Sequence, residues 1–209
     1  MFHPGRETFP EWVESKNKGV GSRMPHDPDR QIIQEIRNGQ PRRFAVLVDR
    51  HKDRALTLAV RMVGNREEAE ELVQDSFVRA FRSLDDFRGD ARFGTWFYRI
   101  VYNVCMTGVM RKKELLSDAG EDFADVAAPE GDPLSQLEEA ELQAILAEAI
   151  GRLPGQQRAA LTLFYVQDLT YEEIAGVTGQ PMGTVKTHLF RGRERLRRIV
   201  LQQMQQRVP

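Results

Sequence analysis

Between Glu114 and Glu141 the chain carries ten carboxylates and no lysine or arginine. A stretch of that charge, broken by Ala127-Ala128-Pro129 and Gly131-Asp132-Pro133 and with little periodic apolar pattern, reads as a linker. It divides the 209 residues into two parts, each long enough to bury a small core of its own. The reading is a tail over residues 1–28, a helical domain over 29–113, an acidic linker over 114–135 and a second helical domain over 136–209. Bases gather on either side of the acids. Arg88, Arg92, Arg99, Arg111, Lys112 and Lys113 face only Asp90 in one stretch, and seven bases from Lys186 onward face only Glu194. The net charge of −1 therefore excludes a uniformly basic coat but not two basic surfaces in different places.

Every periodic segment has helical spacing, and no alternating stretch suggests a half-buried strand. Ile32, Ile33 and Ile36 mark a short helix that ends at Asn38-Gly39. Pro41 suits the first turn of the next, whose stripe is Phe44, Leu47, Val48, His51, Ala55, Leu58, Ala59 and Met62. Gly64 closes it, and Asn65 with Glu68 opens another as a capping box, with Ala69, Leu72, Val73, Ser76, Phe77, Ala80, Phe81 and Leu84 inward. After a loop at residues 85–90, a third long helix turns Phe93, Trp96, Phe97, Ile100, Val101, Val104 and Cys105 inward and ends near Lys113. Past the acids, Leu142, Ile145, Leu146, Ala149 and Leu153 mark a helix stopped by Pro154-Gly155, and a second runs from about Gln156 to the turn at Asp168. Thr170 and Glu173 form a capping box, Gly179-Gln180-Pro181 turns the chain, and the last helix carries Val185, Leu189, Leu196, Ile199 and Val200 on one seam. The expected fold class is all-α: two small helical domains, the second a helix-turn-helix.

With that seam inward, the last helix shows Lys186, Thr187, Phe190, Arg191 and Glu194 to solvent, with Arg197 and Arg198 a turn further on. Lysine and arginine pair with phosphates or guanine edges, threonine with either, and a phenylalanine meets a thymine methyl. A basic helix alone is usually a solvated face; an exposed phenylalanine behind a capped helix and a glycine turn favours DNA binding. On the third long helix the expected outward face is Thr95, Tyr98, Arg99, Tyr102 and Met106, with Asn103 at the margin. Aromatics interleaved with arginine suit unstacked bases; the alternative is that Tyr98 and Tyr102 pack against a neighbouring helix. The second long helix shows Glu68, Glu71, Gln74, Asp75 and Val78 outward, a pattern that alone is usually a solvated face.

The run from Glu70 to Phe81 (EELVQDSFVRAF), then Phe87-Arg88-Gly89-Asp90, then Thr95-Trp96-Phe97-Tyr98-Arg99-Ile100 with Asn103, resembles the second conserved region of bacterial RNA polymerase sigma factors of the extracytoplasmic-function (ECF) type. Leu153-Pro154, Leu169 to Ala175 (LTYEEIA) and Gly183 to Arg193 (GTVKTHLFRGR) resemble the fourth region of the same family. The resemblance implies that Glu71, Gln74, Asp75 and Val78 dock on core RNA polymerase, on its β′ clamp helices, with the β flap as a second contact. It implies that Phe87, Arg88, Asp90, Arg92, Trp96, Tyr98, Arg99 and Asn103 take the melted −10 element as single strand, and that Lys186, Thr187, Phe190 and Arg191 read the duplex −35 element. An anti-sigma factor is a further implied partner. Residues 1–28 precede the family's usual start, and Cys105-Met106-Thr107-Gly108 stands where the family is often more polar.

Catalysis lacks its parts. There is no phosphate-cradling G-x-x-x-x-G-K-[ST] motif, and Gly19-Val20-Gly21 lies in the expected tail. His3, His26, His51 and His188 lack ligand spacing, and His51 sits on a core stripe. No nucleophile has a base partner, so no enzyme activity, cofactor, metal or small-molecule substrate is expected. One cysteine, Cys105, permits no internal disulfide, no apolar run approaches the roughly 20 residues of a membrane span, and the first residues form no secretory signal. A cytoplasmic protein without membrane insertion is the expectation. The other function compatible with a helix-turn-helix is a transcriptional regulator with a helical sensing domain.

Overall fold

The computed structural model describes residues 27–116, 146 and 148–207. Nearly all of the expected tail and linker lies outside these residues, as do Leu142 and Ile145. Helix α1, Arg30–Arg37, buries Ile32, Ile33 and Ile36. A 3₁₀ turn at Pro41–Arg43 places proline in its first position and leads into α2, Phe44–Val63. Gly64 ends α2 in the left-handed region at φ 81°, where a side chain would be strained. The Asn65 side chain then accepts the Glu68 N–H at 2.8 Å and starts α3, Arg66–Arg82. Helix α4 spans Phe93–Leu116, three residues beyond the expected end at Lys113.

Helices α2, α3 and α4 pack pairwise into a bundle. Leu47, Leu58, Phe93, Phe97 and Val101 are fully buried in it, and the Phe77 and Phe97 rings stack at 4.4 Å. In the second half α5 spans Gly155–Tyr165, α6 Tyr171–Thr178 and α7 Met182–Arg207. The Thr170 capping box is complete, its hydroxyl accepting from Glu173 N and its own N–H donating to Glu173 Oε2. Helix α7 rests on α5 and α6 through Val185 and Leu189, each 1 % exposed. A Cβ at Gly192 would stand 3.0 Å from Leu161 Cδ1, so the glycine permits this close approach of α7 to α5.

The two halves also pack on each other, α4 against α6 and α2 against α5, and their buried residues form one continuous cluster. Gln167 donates to the Arg54 carbonyl at 2.8 Å, and Arg158 donates to the Gly151 and Met62 carbonyls at 2.8 and 3.4 Å. This packing corrects the expected outward face of α4. Thr95, Tyr98 and Tyr102 are 7 %, 3 % and 5 % exposed, because α4 has neighbours on more than one side. Tyr98 lies with its ring 6.2 Å from both His51 and Phe97. A second correction concerns Phe81, expected inward and found 45 % exposed. Phe77 and Ala80 fill the inward positions of that turn, leaving Phe81 at the margin with its ring 5.0 Å from Phe44.

Candidate nucleic-acid interface

Lys186, Thr187, Phe190 and Arg191 stand exposed together on α7, opposite the sealed Val185/Leu189 side. Phe190 is 46 % exposed, a large apolar surface with no contribution to the core. The Lys186 ammonium lies 6.0 Å from the centre of the Tyr171 ring, a cation–π contact that steadies its stem at the start of the helix. Thr187 donates its hydroxyl proton to the Gly183 carbonyl at 2.9 Å, leaving the oxygen lone pairs to accept. Burial, then the charge of Arg191, holds His188 below its ordinary value, so it adds no charge to this face near neutral pH. Glu194, Arg197 and Arg198 are exposed further along α7.

The second surface is built on the loop between α3 and α4. Arg88, Asp90 and Arg92 are exposed on it, and positions 92, 96, 99 and 103 continue along one side of α4 at helical spacing. Arg99 and Asn103 are exposed, and Trp96 is half-buried against Phe87 and Phe93, with ring centres 5.3 and 5.6 Å away. Phe87 itself is 5 % exposed, so it anchors the loop rather than presenting a face. Tyr98 likewise serves the core here. The loop's position is fixed by long-range contacts that no local pattern in the sequence marks. One Arg37 nitrogen donates to the carbonyls of Leu84, Asp85 and Phe87 at 2.6, 3.2 and 2.6 Å. Asp27 Oδ2 accepts the Phe93 N–H at 2.8 Å, satisfying an open donor at the start of α4. Next to it, the Asp29 carboxylate is buried between Arg50 at 2.8 Å and His51 at 2.7 Å. These contacts span about twenty to seventy positions of chain, and only their acidic and basic identities were visible in advance.

Loop residues 86–91 with Thr95, Trp96 and Arg99 form one wall of a cleft of about 460 Å³; Glu172, Glu173 and Gly176 of α6 form the other. Thr95 Oγ1 donates across it to Glu173 Oε1 at 3.1 Å.

A third surface lies on α3. Glu71, Gln74 and Val78 are exposed, and Asp75 is half-exposed and paired with Arg79 at 2.8 Å. Val78 at 46 % and Phe81 at 45 %, three residues apart, give the acidic face an apolar end. The i, i+3 spacing from Val78 was the signal for Phe81, and the periodic stripe obscured it.

Residues 47–114 match the family described as Sigma-70 region 2, and residues 143–196 match Sigma-70, region 4. The chain belongs to the sigma-70 family. Its relatives include the RNA polymerase sigma-H factor of Pseudomonas aeruginosa, 34 % identical over 179 residues that cover 82 % of this chain and 93 % of that protein. The ECF RNA polymerase sigma factor SigW of Bacillus subtilis is 35 % identical over 178 residues, 79 % of this chain and 93 % of its own length. The ECF sigma factor SigE of Mycolicibacterium smegmatis is 32 % identical over 198 residues, 94 % and 74 % of the two chains. The ECF type expected from the motifs is thereby shown. Two solved structures share the fold. One is RpoE of Bartonella quintana, in complex with the anti-sigma factor NepR, with TM-score 0.63, 22 % identity and coverage of 75 % of this chain and 96 % of that one. The other is CnrH in complex with the cytosolic domain of CnrY, with TM-score 0.60, 24 % identity and coverage of 83 % and 97 %. On this sigma factor region 2 takes in α2, α3 and most of α4, and region 4 takes in α5, α6 and most of α7. Arg37, Asp27 and Asp29 lie outside both matched stretches and hold region 2's loop from the N-terminal side.

Proposed function

We propose that this chain carries core RNA polymerase to bipartite promoters, reading a −35 duplex with α7 and a melted −10 strand with the loop before α4. The observation that carries the reading is the exposure of Lys186, Thr187, Phe190 and Arg191 on one side of a helix whose other side is sealed. A basic recognition helix with an exposed aromatic is suited to major-groove edges. Arg88, Arg92, Arg99 and Asn103 around half-buried Trp96 suit an unstacked strand, where arginines meet phosphates and an aromatic meets a base. Phe87 and Tyr98 act here as anchors beneath that surface. Glu71, Gln74, Asp75 and Val78, extended by Phe81, form the docking face for the β′ clamp helices of the core enzyme, and an anti-sigma factor competes for such faces.

The protein acts as an initiation factor without a catalytic site of its own, in the cytoplasm where polymerase works. Among the described residues no helix is long and apolar enough to cross a membrane.

Reconstituted transcription tests this. With core polymerase and a promoter library, the chain directs initiation at a bipartite sequence. Arg191→Ala and Phe190→Ala each weaken upstream binding by about 1–3 kcal/mol, and pre-melting the downstream element does not restore it. Asn103→Ala impairs the downstream strand instead and is partly rescued by a pre-melted template. Identical responses of both classes to pre-melting contradict the division of labour, and absence of initiation contradicts the whole reading.

A further inference from the structure

Gly64 and Gly179 hold positive φ at the ends of their helices, and Gly192 lies against Leu161, so the fold itself accounts for these glycines. Gly183 meets neither condition. It sits in the first turn of α7 with φ outside the left-handed region, and a Cβ there would find no other part of the described chain within 4 Å. Glycine is the weakest helix former after proline, so alanine would suit this turn better. The chain gives no internal reason for the missing side chain. What remains is a close approach from outside.

The position of Gly183 on the helix identifies what approaches. Positions 183, 187, 190 and 194, spaced four, three and four apart, run down one side of α7. That side lies opposite buried Val185 and Leu189, and Gly183, Thr187, Phe190 and Glu194 are all exposed on it. Bulk rises along the line. Gly183 has no side chain, Thr187 bends its hydroxyl back to the Gly183 carbonyl at 2.9 Å, and Phe190 stands out with 46 % of its surface exposed. Pro181, Met182 and Gly183 are exposed in succession, which leaves the first turn open to solvent. A helix of this shape enters a groove with its start deep and its later turns further out, as a recognition helix does on duplex DNA.

We propose that Gly183 sets the depth at which α7 seats in the −35 duplex. The duplex comes into van der Waals contact with the Gly183 Cα, and a side chain there would hold Lys186, Thr187, Phe190 and Arg191 off the base edges. The proposal rests on the assignment of α7 as the −35 reader. Gly183 is a positioning residue, since without a side chain it chooses among bases only by letting its neighbours reach them. Contacts to base edges need fixed geometry, whereas phosphates can be followed by long, flexible cations. A lift at the first turn therefore costs sequence preference before it costs attraction to DNA.

The test measures binding of the polymerase complex, formed with the full chain, to the −35 duplex selected from the promoter library and to a scrambled duplex of equal length. Gly183→Ala is expected to bind the −35 duplex roughly tenfold more weakly, the cost of a lost base contact, and the scrambled duplex almost as before. The free Gly183→Ala chain melts no lower than the unsubstituted one. Gly183→Leu extends the loss on the −35 duplex. Gly155→Ala is the control, at a glycine that also opens a helix and whose Cβ would also meet nothing within 4 Å. It too melts no lower, and its −35 affinity stays that of the unsubstituted chain. Unchanged −35 affinity in Gly183→Ala overturns the proposal, as does a loss equal on both duplexes or accompanied by a lower melting temperature. Phe190→Ala and Arg191→Ala keep this failure apart from a failure of the underlying reading. If both leave the preference between the duplexes intact, α7 is not the −35 reader; if they flatten it and Gly183→Ala does not, only the seating depth is wrong.

Discussion

Arg37 shows how much of region 2's proposed strand-reading loop depends on one side chain outside it. One nitrogen serves its three carbonyl partners, on Leu84, Asp85 and Phe87, with two N–H groups shared among them, and Leu84 O also accepts the Phe87 N–H at 3.2 Å within the 3₁₀ turn Leu84–Asp86. Arg37→Met keeps the stem and removes the donors. The expected result is a loss of about 1–3 kcal/mol in denaturant unfolding, with faster amide exchange confined first to residues around Asp85 and Phe87. Asp29 supplies a pH dependence. Burial pushes its carboxyl up, but hydrogen bonds from His51 and Arg50, with the charges of both, outweigh burial and hold it below the ordinary value of 3.8. A depressed folded value means that the unfolded chain takes up the proton first as pH falls. The stabilisation is therefore present above about 3.8 and is lost as pH drops through the lower folded value. Asp29→Asn should unfold more easily at neutral pH and lose this part of the acid sensitivity, so that the two stability curves converge at low pH. Parallel curves would contradict the assignment. Neither residue's role was legible in the sequence, since a short acidic or basic motif does not reveal a partner dozens of positions away.

Helices were the most legible level, because their signals are local. The Ile32/Ile33/Ile36 stripe, the Asn65 cap, the Thr170 capping box and the left-handed turns at Gly64 and Gly179 each follow from residues within a few positions of one another. Helix α4 was read less well for the opposite reason. Periodicity shows which side of a helix is apolar, but Tyr98 and Tyr102 are amphipathic and suit either water or a second neighbour. Their burial reflects packing that involves both the region 2 bundle and region 4, which no spacing within α4 encodes. Phe81 erred the other way, an aromatic at a stripe position that lies on the bundle's rim. As a consequence, Phe81→Glu should fold normally and bind core polymerase less well in a co-elution or fluorescence assay; unimpaired core binding would remove Phe81 from the docking face. The Thr170 cap has the reverse signature. Thr170→Ala should lower stability by about 1 kcal/mol, read in denaturant unfolding, while leaving the α7 base preference intact once the chain is saturated on DNA.

At the scale of the whole molecule, a net charge of −1 coexists with two surfaces that need positive charge, and the segregation of charge along the chain reconciles them. Electrostatic attraction to DNA is set by the cations within a Debye length of the phosphates, about 8 Å at physiological salt, and not by the sum over the protein. Acids beyond that distance therefore do not cancel the arginines of α7. Two classes of cation on α7 can be separated on this basis. Arg191 stands with Phe190 and Thr187 among the proposed base readers, whereas Arg198 is exposed two turns further on, beyond their reach and in position for the backbone. Each phosphate contact on duplex DNA contributes roughly 0.9 to the slope of log affinity against log salt, and a base contact contributes specificity instead. Arg198→Gln should weaken promoter binding of the polymerase complex equally for all −35 sequences and reduce the salt slope by about 1. Arg191→Ala should flatten the preference among −35 sequences by about 1–3 kcal/mol at the base it contacts. Binding titrations of the two variants at several salt concentrations, against a consensus and a single-base variant duplex, measure both quantities at once. A changed sequence preference in Arg198→Gln, or an unchanged one in Arg191→Ala, would mean that the boundary between base reading and phosphate anchoring lies elsewhere on the helix.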